Sequence, residues 1–183
     1  MRPKRPITVA VNRMYEGNRI SLRVDTAKFD DGPEFDREIV EHSGSVVLIP
    51  ITDDGKVLLI RQYRQAAECF LLEASAGTRE AGESPEVTAH RELQEEVGYK
   101  AGRLISIGGS WVAPGYSTEY SHIYIATDLE PAPMPFDDGE DIVVEEVDFD
   151  DIHRLISTGE LEDQMSIAAL LSAQHVYKEH IKD

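Results

Sequence analysis

The sequence predicts an α+β fold around a mixed sheet. Nine strand-length runs alternate or concentrate apolar residues, only three stretches carry helical periodicity, and the strict strand–helix alternation of a Rossmann-type sheet is missing. With 183 residues, 41% hydrophobic and 29% charged, the chain has the composition of one globular domain with room for a small appendage.

Residues 7–11 (Ile-Thr-Val-Ala-Val) and 20–24 (Ile-Ser-Leu-Arg-Val) alternate as strands do, with Glu16-Gly17-Asn18 as the turn between them. Asp30-Asp31-Gly32-Pro33 marks a second turn, and residues 35–40 make a third strand. Residues 45–51 and 56–63 are more apolar and flank Asp53-Asp54-Gly55, the Asp-Gly signature of a hairpin. Residues 70–73, 104–107, 121–127 and 142–149 complete the strands. A helix is predicted over residues 85–97, because Ser84 can cap it, Pro85 suits its first position and Gly98 can end it. A short helix over 151–157 precedes a long one over 164–180, which Asp163 caps and whose apolar stripe is Ile167, Leu170, Leu171 and Val176. Pro131-Ala132-Pro133-Met134-Pro135 reads as a stiff loop rather than a domain boundary.

Charge narrows the function. Eighteen Lys and Arg against 35 Asp and Glu leave a net charge of −17 and a pI near 4.6. Nucleic acids and anionic membranes both need a basic face, so neither is an expected partner. The one cysteine, Cys69, allows no intrachain disulfide, suits a reducing cytoplasm, and is expected as a small buried hydrophobe beside Phe70. The basic start, Met1-Arg2-Pro3-Lys4-Arg5-Pro6, is followed by no apolar run of about 7–15 residues, so no secretory signal is expected. No apolar stretch is long enough to span a bilayer.

The chemistry is concentrated in residues 77–99, GTREAGESPEVTAHRELQEEVGY. On a helical wheel Ala89, Leu93 and Val97 form the buried stripe, and Glu92, Glu95 and Glu96 fall on an adjoining face. Three carboxylates so placed repel one another unless cations join them, and hard divalent cations prefer oxygen ligands. Arg91 lies beside Glu95 on the wheel, where its planar fork can orient a carboxylate. Gly77 and Gly82 bracket a tight loop that can bring a backbone carbonyl close to such ions.

This spacing of Gly77, Glu83, Arg91-Glu92-Leu93, Glu95-Glu96 and Gly98-Tyr99 resembles the Nudix box at every fixed position. The likeness extends to the ADP-ribose pyrophosphatase branch of that family through residues 43–47, 61–64, 72–77 and 113–119. Ser75 departs from it, since that branch commonly carries proline before Ala-Gly.

The resemblance implies a Nudix α/β/α sandwich over residues 44–183. It also implies an N-terminal antiparallel β region, 1–43, that contacts substrate and helps build a homodimer. It implies Mg²⁺, with Mn²⁺ as an alternative, held by Glu92, Glu95, Glu96 and the carbonyl of Ala76, while Glu83 and Arg91 support the loop and helix. Glu96 and Arg91 are expected in the catalytic group together with a base from the acidic loop 137–141; Glu140 is the choice there and Glu119 the rival. Substrate contacts are expected from Arg37, Arg64, Glu73, Pro114 and Glu119, with Arg61 and Arg79 as weaker candidates. Tyr15, Phe35, Trp111 and Tyr116 could each stack on a base, but core or interface is the favoured place for them; His90 is expected as no ligand.

The reaction implied is hydrolysis of the diphosphate bond of a nucleoside diphosphate sugar, ADP-ribose to AMP and ribose 5-phosphate, by a cytoplasmic enzyme. GDP-mannose or another sugar nucleotide is the alternative substrate, and a non-catalytic nucleotide sensor is the alternative class. A calcium loop at 137–141 is disfavoured, because the spaced ligands and terminal glutamate of such a loop are missing.

Overall fold

The computed structural model describes residues 3–135, 139 and 141–180, with side chains as far as Tyr177. The chain divides into two compact units, Met1–Gly44 with Trp111–Tyr120, and Ser45–Ser110 with Ser121–Asp183.

In the first unit β1 (Ile7–Glu16), β2 (Ser21–Lys28) and β3 (Phe35–Glu41) form an antiparallel sheet in the order β1-β2-β3. The turn at Gly17 closes through its N–H to Ile20 O at 3.0 Å. β1 runs five residues beyond the predicted alternation, because it stays in register with β2 from Ile7↔Lys28 to Glu16↔Ser21 through two bulges. Like charges face each other at Arg13↔Arg23, and both guanidinium groups bond the carboxylate of Glu41. Segment 111–120 joins β3, with the Val40 N–H donating to Tyr116 O at 2.8 Å and the Thr118 N–H to Val40 O at 3.0 Å. β1 is exposed along its whole length, including Ile7, Val9, Val11, Met14 and Tyr15.

In the second unit β4 (Ser45–Pro50), β5 (Lys56–Arg64), β6 (Cys69–Thr78), β7 (Tyr99–Trp111), β8 (Tyr120–Pro131) and β9 (Val143–Asp148) form one sheet in the order β7-β8-β4-β6-β5-β9. It is mixed, since β4 runs parallel to β8 and antiparallel to β6. β4 is buried on both faces, which accounts for its unbroken apolar run. Val47, Ile49 and Leu59 pack on one face with residues of α2 (Ile152–Thr158) and α3 (Gln164–His180), among them Ile152, Leu155, Ala169 and Leu170. Val46, Leu48, Leu58 and Ile60 pack on the other with Ala89, Leu93 and Val97 of the helix begun by α1 (Pro85–Glu92). Helices therefore cover both faces, as expected of the α/β/α sandwich. Among the described residues no helix is long and apolar enough to cross a membrane.

Three local expectations change. β6 and β7 extend well past the predicted 70–73 and 104–107, because neighbouring strands supply partners that apolar periodicity does not register. Cys69 is exposed rather than buried, being the first residue of β6, paired with Arg64 at the turn end of the β5–β6 hairpin. Tyr15, Trp111 and Tyr116 are also exposed, so none is core.

Candidate active site

The loop before α1 is shaped by Gly82 at φ +89°, and Ser84 caps the helix by accepting the Val87 N–H at 3.3 Å. After Glu92 the α-helix gives way to a π turn, Leu93–Val97, which closes through the Gly98 N–H to Leu93 O, with Gly98 left-handed at φ +81°. The predicted helix over 85–97 is thus present, but its last five residues are wound more widely. Ala89, Leu93 and Val97 are buried as predicted, and Glu92 and Glu96 lie at only 8% and 4% exposure.

Arg91 gathers the acidic side chains. Its Nη1 donates to Glu92 Oε1 at 2.7 Å and to Glu95 Oε2 at 2.8 Å; its Nε and Nη2 donate to the two oxygens of Glu83 at 3.2 and 3.1 Å. Nη2 also reaches the Thr78 carbonyl at 3.2 Å, tying the helix to the end of β6. Burial works against the charge on Arg91, but the bonds to Glu83, the field of Glu92 and the bonds to Glu95 and Glu92 outweigh it and hold its pKa above the ordinary value. The same bond from Arg91, set against a smaller desolvation penalty and assisted by bonds from the Glu80 N–H and the Thr88 hydroxyl, lowers Glu83 from 4.5 to about 2.

β6 lies directly beneath these glutamates. The Ala76 N–H donates to Glu96 Oε2 at 2.9 Å. Gly77 is pressed so closely against Glu92 that a Cβ there would lie 1.8 Å from Glu92 Cδ. The glycine is therefore required by close approach and not by its backbone angles. Upstream on the same strand, Glu73 is 3% exposed and bridged by Arg64, whose Nε reaches Oε1 at 2.9 Å and whose Nη2 reaches Oε2 at 2.5 Å. Gln62 adds a further bond, its Nε2 donating to Glu73 Oε2 at 3.1 Å. The bond to Glu73 raises the Arg64 pKa against the opposing effect of burial.

The structure thus brings Ala76, Glu83, Arg91, Glu92, Glu95 and Glu96 together, and pairs Arg64 with Glu73. Arg61 points elsewhere, with its Nε donating to Glu145 Oε1 at 2.5 Å across the β5–β9 pair, while Arg79 braces the box loop by donating to Glu83 O at 2.7 Å. Arg37, Pro114 and Glu119 belong to the first unit. Arg37 stacks over the Phe35 ring at 4.4 Å, Pro114 follows Ala113 in a turn closed by the Tyr116 N–H, and Glu119 Oε1 lies 3.9 Å from His42 Nδ1. Glu140 lies outside the described residues. Gln62 and Gln94 also take part, though the motif assigns a role to neither. Gln62 was legible from alternation, two residues from Arg64 on one strand face. Gln94 was not, although its Nε2 donates to Ala132 O at 3.2 Å and its carbonyl accepts the Met134 N–H at 3.1 Å, clasping the proline-rich loop to the π turn.

Among the described residues no three Asp, Glu, His or Cys side chains already converge as a ligand shell; Arg91 and the Ala76 amide draw the carboxylates instead. The donor set nevertheless fits a hard divalent cation. Within the cluster the three carboxylates of Glu83, Glu92 and Glu95 share one guanidinium, that of Glu96 lies on the Ala76 N–H, and every candidate ligand atom is oxygen.

Comparison with known proteins agrees with this geometry. Residues 41–169 match the NUDIX domain model. The chain is 34% identical over 165 residues to an ADP-ribose pyrophosphatase of Bacillus subtilis (strain 168), covering 89% of each chain. It is 32% identical, over the same shares, to a methanol dehydrogenase activator of Bacillus methanolicus. A crystal structure of an ADP compounds hydrolase superposes with a TM-score of 0.88 over 100% of both chains at 24% identity, which demonstrates the shared fold. With its box residues assembled around Arg91, and with a domain match over most of its length, the chain belongs to the Nudix family.

Proposed function

We propose that this protein is a Mg²⁺-dependent pyrophosphohydrolase that cleaves ADP-ribose to AMP and ribose 5-phosphate. The observation that carries the reading is the packing of Glu92 and Glu96 on the backbone of Gly77 and Ala76, with Arg91 fixing Glu92 and Glu95. The similarity to a protein named ADP-ribose pyrophosphatase supports the choice of substrate.

A chain at −17 repels a diphosphate, so counter-charge must be concentrated at the site. Glu92, Glu95, Glu96 and the Ala76 carbonyl would hold the ion. When bound, Mg²⁺ or Mn²⁺ supplies the positive charge that polarises the diphosphate and acidifies the attacking water. Arg91 keeps the carboxylates oriented before any ion arrives. Arg64 and Arg37 contact phosphate and ribose, Glu73 orients Arg64, and Pro114 and Glu119 shape the nucleotide side. Glu140 accepts the proton of the attacking water, and Glu119 is its rival. Residues 1–43 serve dimerisation and substrate contact, since a fully exposed β1 bearing Ile7, Val9, Val11, Met14 and Tyr15 suits an interface in a homodimer. The cytoplasm suits its single exposed thiol.

The test is a panel of sugar nucleotides assayed with Mg²⁺ and Mn²⁺ beside Glu96→Gln, Glu140→Gln and Glu119→Gln. ADP-ribose should be cleaved fastest, and Glu96→Gln should lower turnover by about 10²-fold or more. A tenfold or greater preference for GDP-mannose would overturn the substrate. Full activity in Glu140→Gln would remove it as the base.

A further inference from the structure

We propose that Ser166, in the first turn of α3, is a positioning residue for the hydrolysis: it anchors the β6 peptide from which the contacts to Glu96 and Glu92 extend. The inference rests on the pyrophosphohydrolase reading above and adds to it a residue outside the Nudix box.

β6 changes partner in mid-strand. Residues 69–74 pair with β5, ending at Leu59↔Ala74, and residues 75–78 pair with β4, beginning at Leu48↔Ser75. A strand is least restrained where one ladder ends and the next begins, and a buried N–H there needs an acceptor. The Ala74 N–H finds it in Ser166 Oγ at 2.8 Å. Ser166 is 1% exposed, so bulk water does not compete for the bond.

The serine is itself fixed. Its hydroxyl donates to Asp163 Oδ2 at 2.6 Å, and its N–H donates to the same oxygen at 2.7 Å, the arrangement of an N-cap. The Ile167 N–H to Asp163 O bond, at 2.9 Å, closes the turn. With the hydroxyl hydrogen committed to a carboxylate, the oxygen lone pairs are left to face Ala74, and the charge strengthens the relay.

The anchored peptide matters because of its neighbours. The Ala74 N–H and the Glu73 carbonyl share one rigid plane, so the bond orients the backbone of Glu73, whose side chain holds Arg64. Two residues on, the Ala76 N–H holds Glu96, and the next residue, Gly77, is the surface against which Glu92 lies. A shift of β6 at Ala74 therefore reaches the Ala76 carbonyl, Glu96 and Glu92 through three residues of strand.

Ser166→Ala and Ser166→Thr are compared with Val176→Ala, a partly buried position on the same helix and core cluster. The readouts are kcat and KM for ADP-ribose, Tm, and the exchange rate of the Ala74 amide by NMR. Ser166→Ala should lower kcat about tenfold with KM within about twofold, since small misplacements at a distance from the chemistry are costly. The Ala74 amide should exchange faster by at least about tenfold. Ser166→Thr should restore both, and Val176→Ala should lose Tm while keeping kcat. Wild-type kcat in Ser166→Ala, an unchanged Ala74 exchange rate, or an equal loss of kcat in Val176→Ala each overturns the role. If Ser166→Ala does not fold, Asp163→Asn keeps a capping acceptor but removes the charge, and should lower kcat about threefold at constant KM; wild-type kcat there has the same overturning force. A wild-type chain inert on the whole substrate panel sinks the enzymatic reading itself, whereas an active wild type with an equally active Ser166→Ala sinks only this inference.

Discussion

Replacing Gly77 with alanine probes the site most directly. The added methyl would stand 1.8 Å from Glu92 Cδ, 1.9 Å from Oε1 and 2.4 Å from Cγ. Carbon atoms in contact prefer about 3.5–4.0 Å, so the carboxylate must retreat by about 2 Å. It cannot do so freely. Glu92 is buried, and its Oε1 is bonded to Arg91 at 2.7 Å, a charge-assisted bond worth about 1.5–3 kcal/mol. Alanine regains about 0.5–1 kcal/mol from its lower backbone entropy in a strand, so the net loss of stability should be about 1–2 kcal/mol. On the proposed role of Glu92 as a metal ligand, turnover should fall by about 10²-fold or more, because an oxygen displaced by that distance would no longer meet its ion. Loss of activity far beyond loss of stability is the expected signature, read from urea unfolding beside kcat over a Mg²⁺ titration. Gly77→Ala combined with Glu92→Asp, one methylene shorter, should recover the stability but not the rate. A Gly77→Ala enzyme with wild-type kcat and wild-type Mg²⁺ dependence would refute the assignment of Glu92.

Two further outcomes follow from the Arg91 cluster. Arg91→Lys should destabilise the chain by about 2–4 kcal/mol in metal-free buffer, because one ammonium cannot span Glu83, Glu92 and Glu95. Millimolar Mg²⁺ should return part of that loss in urea midpoints, and a change below about 0.5 kcal/mol without metal would contradict the role of Arg91. Glu83 has a folded pKa of about 2 against an ordinary 4.5, so its contribution is complete above pH 4.5 and disappears as the pH falls through about 2. The stability gap between wild type and Glu83→Gln should therefore be about 2 kcal/mol at pH 7, after screening of a partly solvated pair, and should close progressively below pH 4.5. A gap that does not depend on pH would show that Arg91 does not hold Glu83 as a carboxylate.

What the sequence determined by itself was local. Caps and period placed the box helix, with Ser84, Pro85 and Gly98 at its ends and Ala89, Leu93 and Val97 buried. Apolar density marked β4 as a strand, and the Asp-Gly signal placed the tight turn before β5 with Gly55 at φ +84°. The hairpin expected there is not formed, because β6 inserts between β4 and β5, which touch at the Ile51↔Val57 bridge. The Arg91–Glu95 pair followed from four-residue spacing alone. Tertiary structure decided the rest. It set the full lengths of β1, β6 and β7, the exposure of Cys69, the π turn after Glu92, the clasp from Gln94 and the bond from Ser166 to Ala74. Each of these depends on which distant backbone group finds a partner, and Ala74 and Ser166 are 92 residues apart. A side-chain pattern carries helix and strand periods because they repeat within a few residues; it carries no record of the long-range amide or carbonyl that will face a given peptide once the sheet closes.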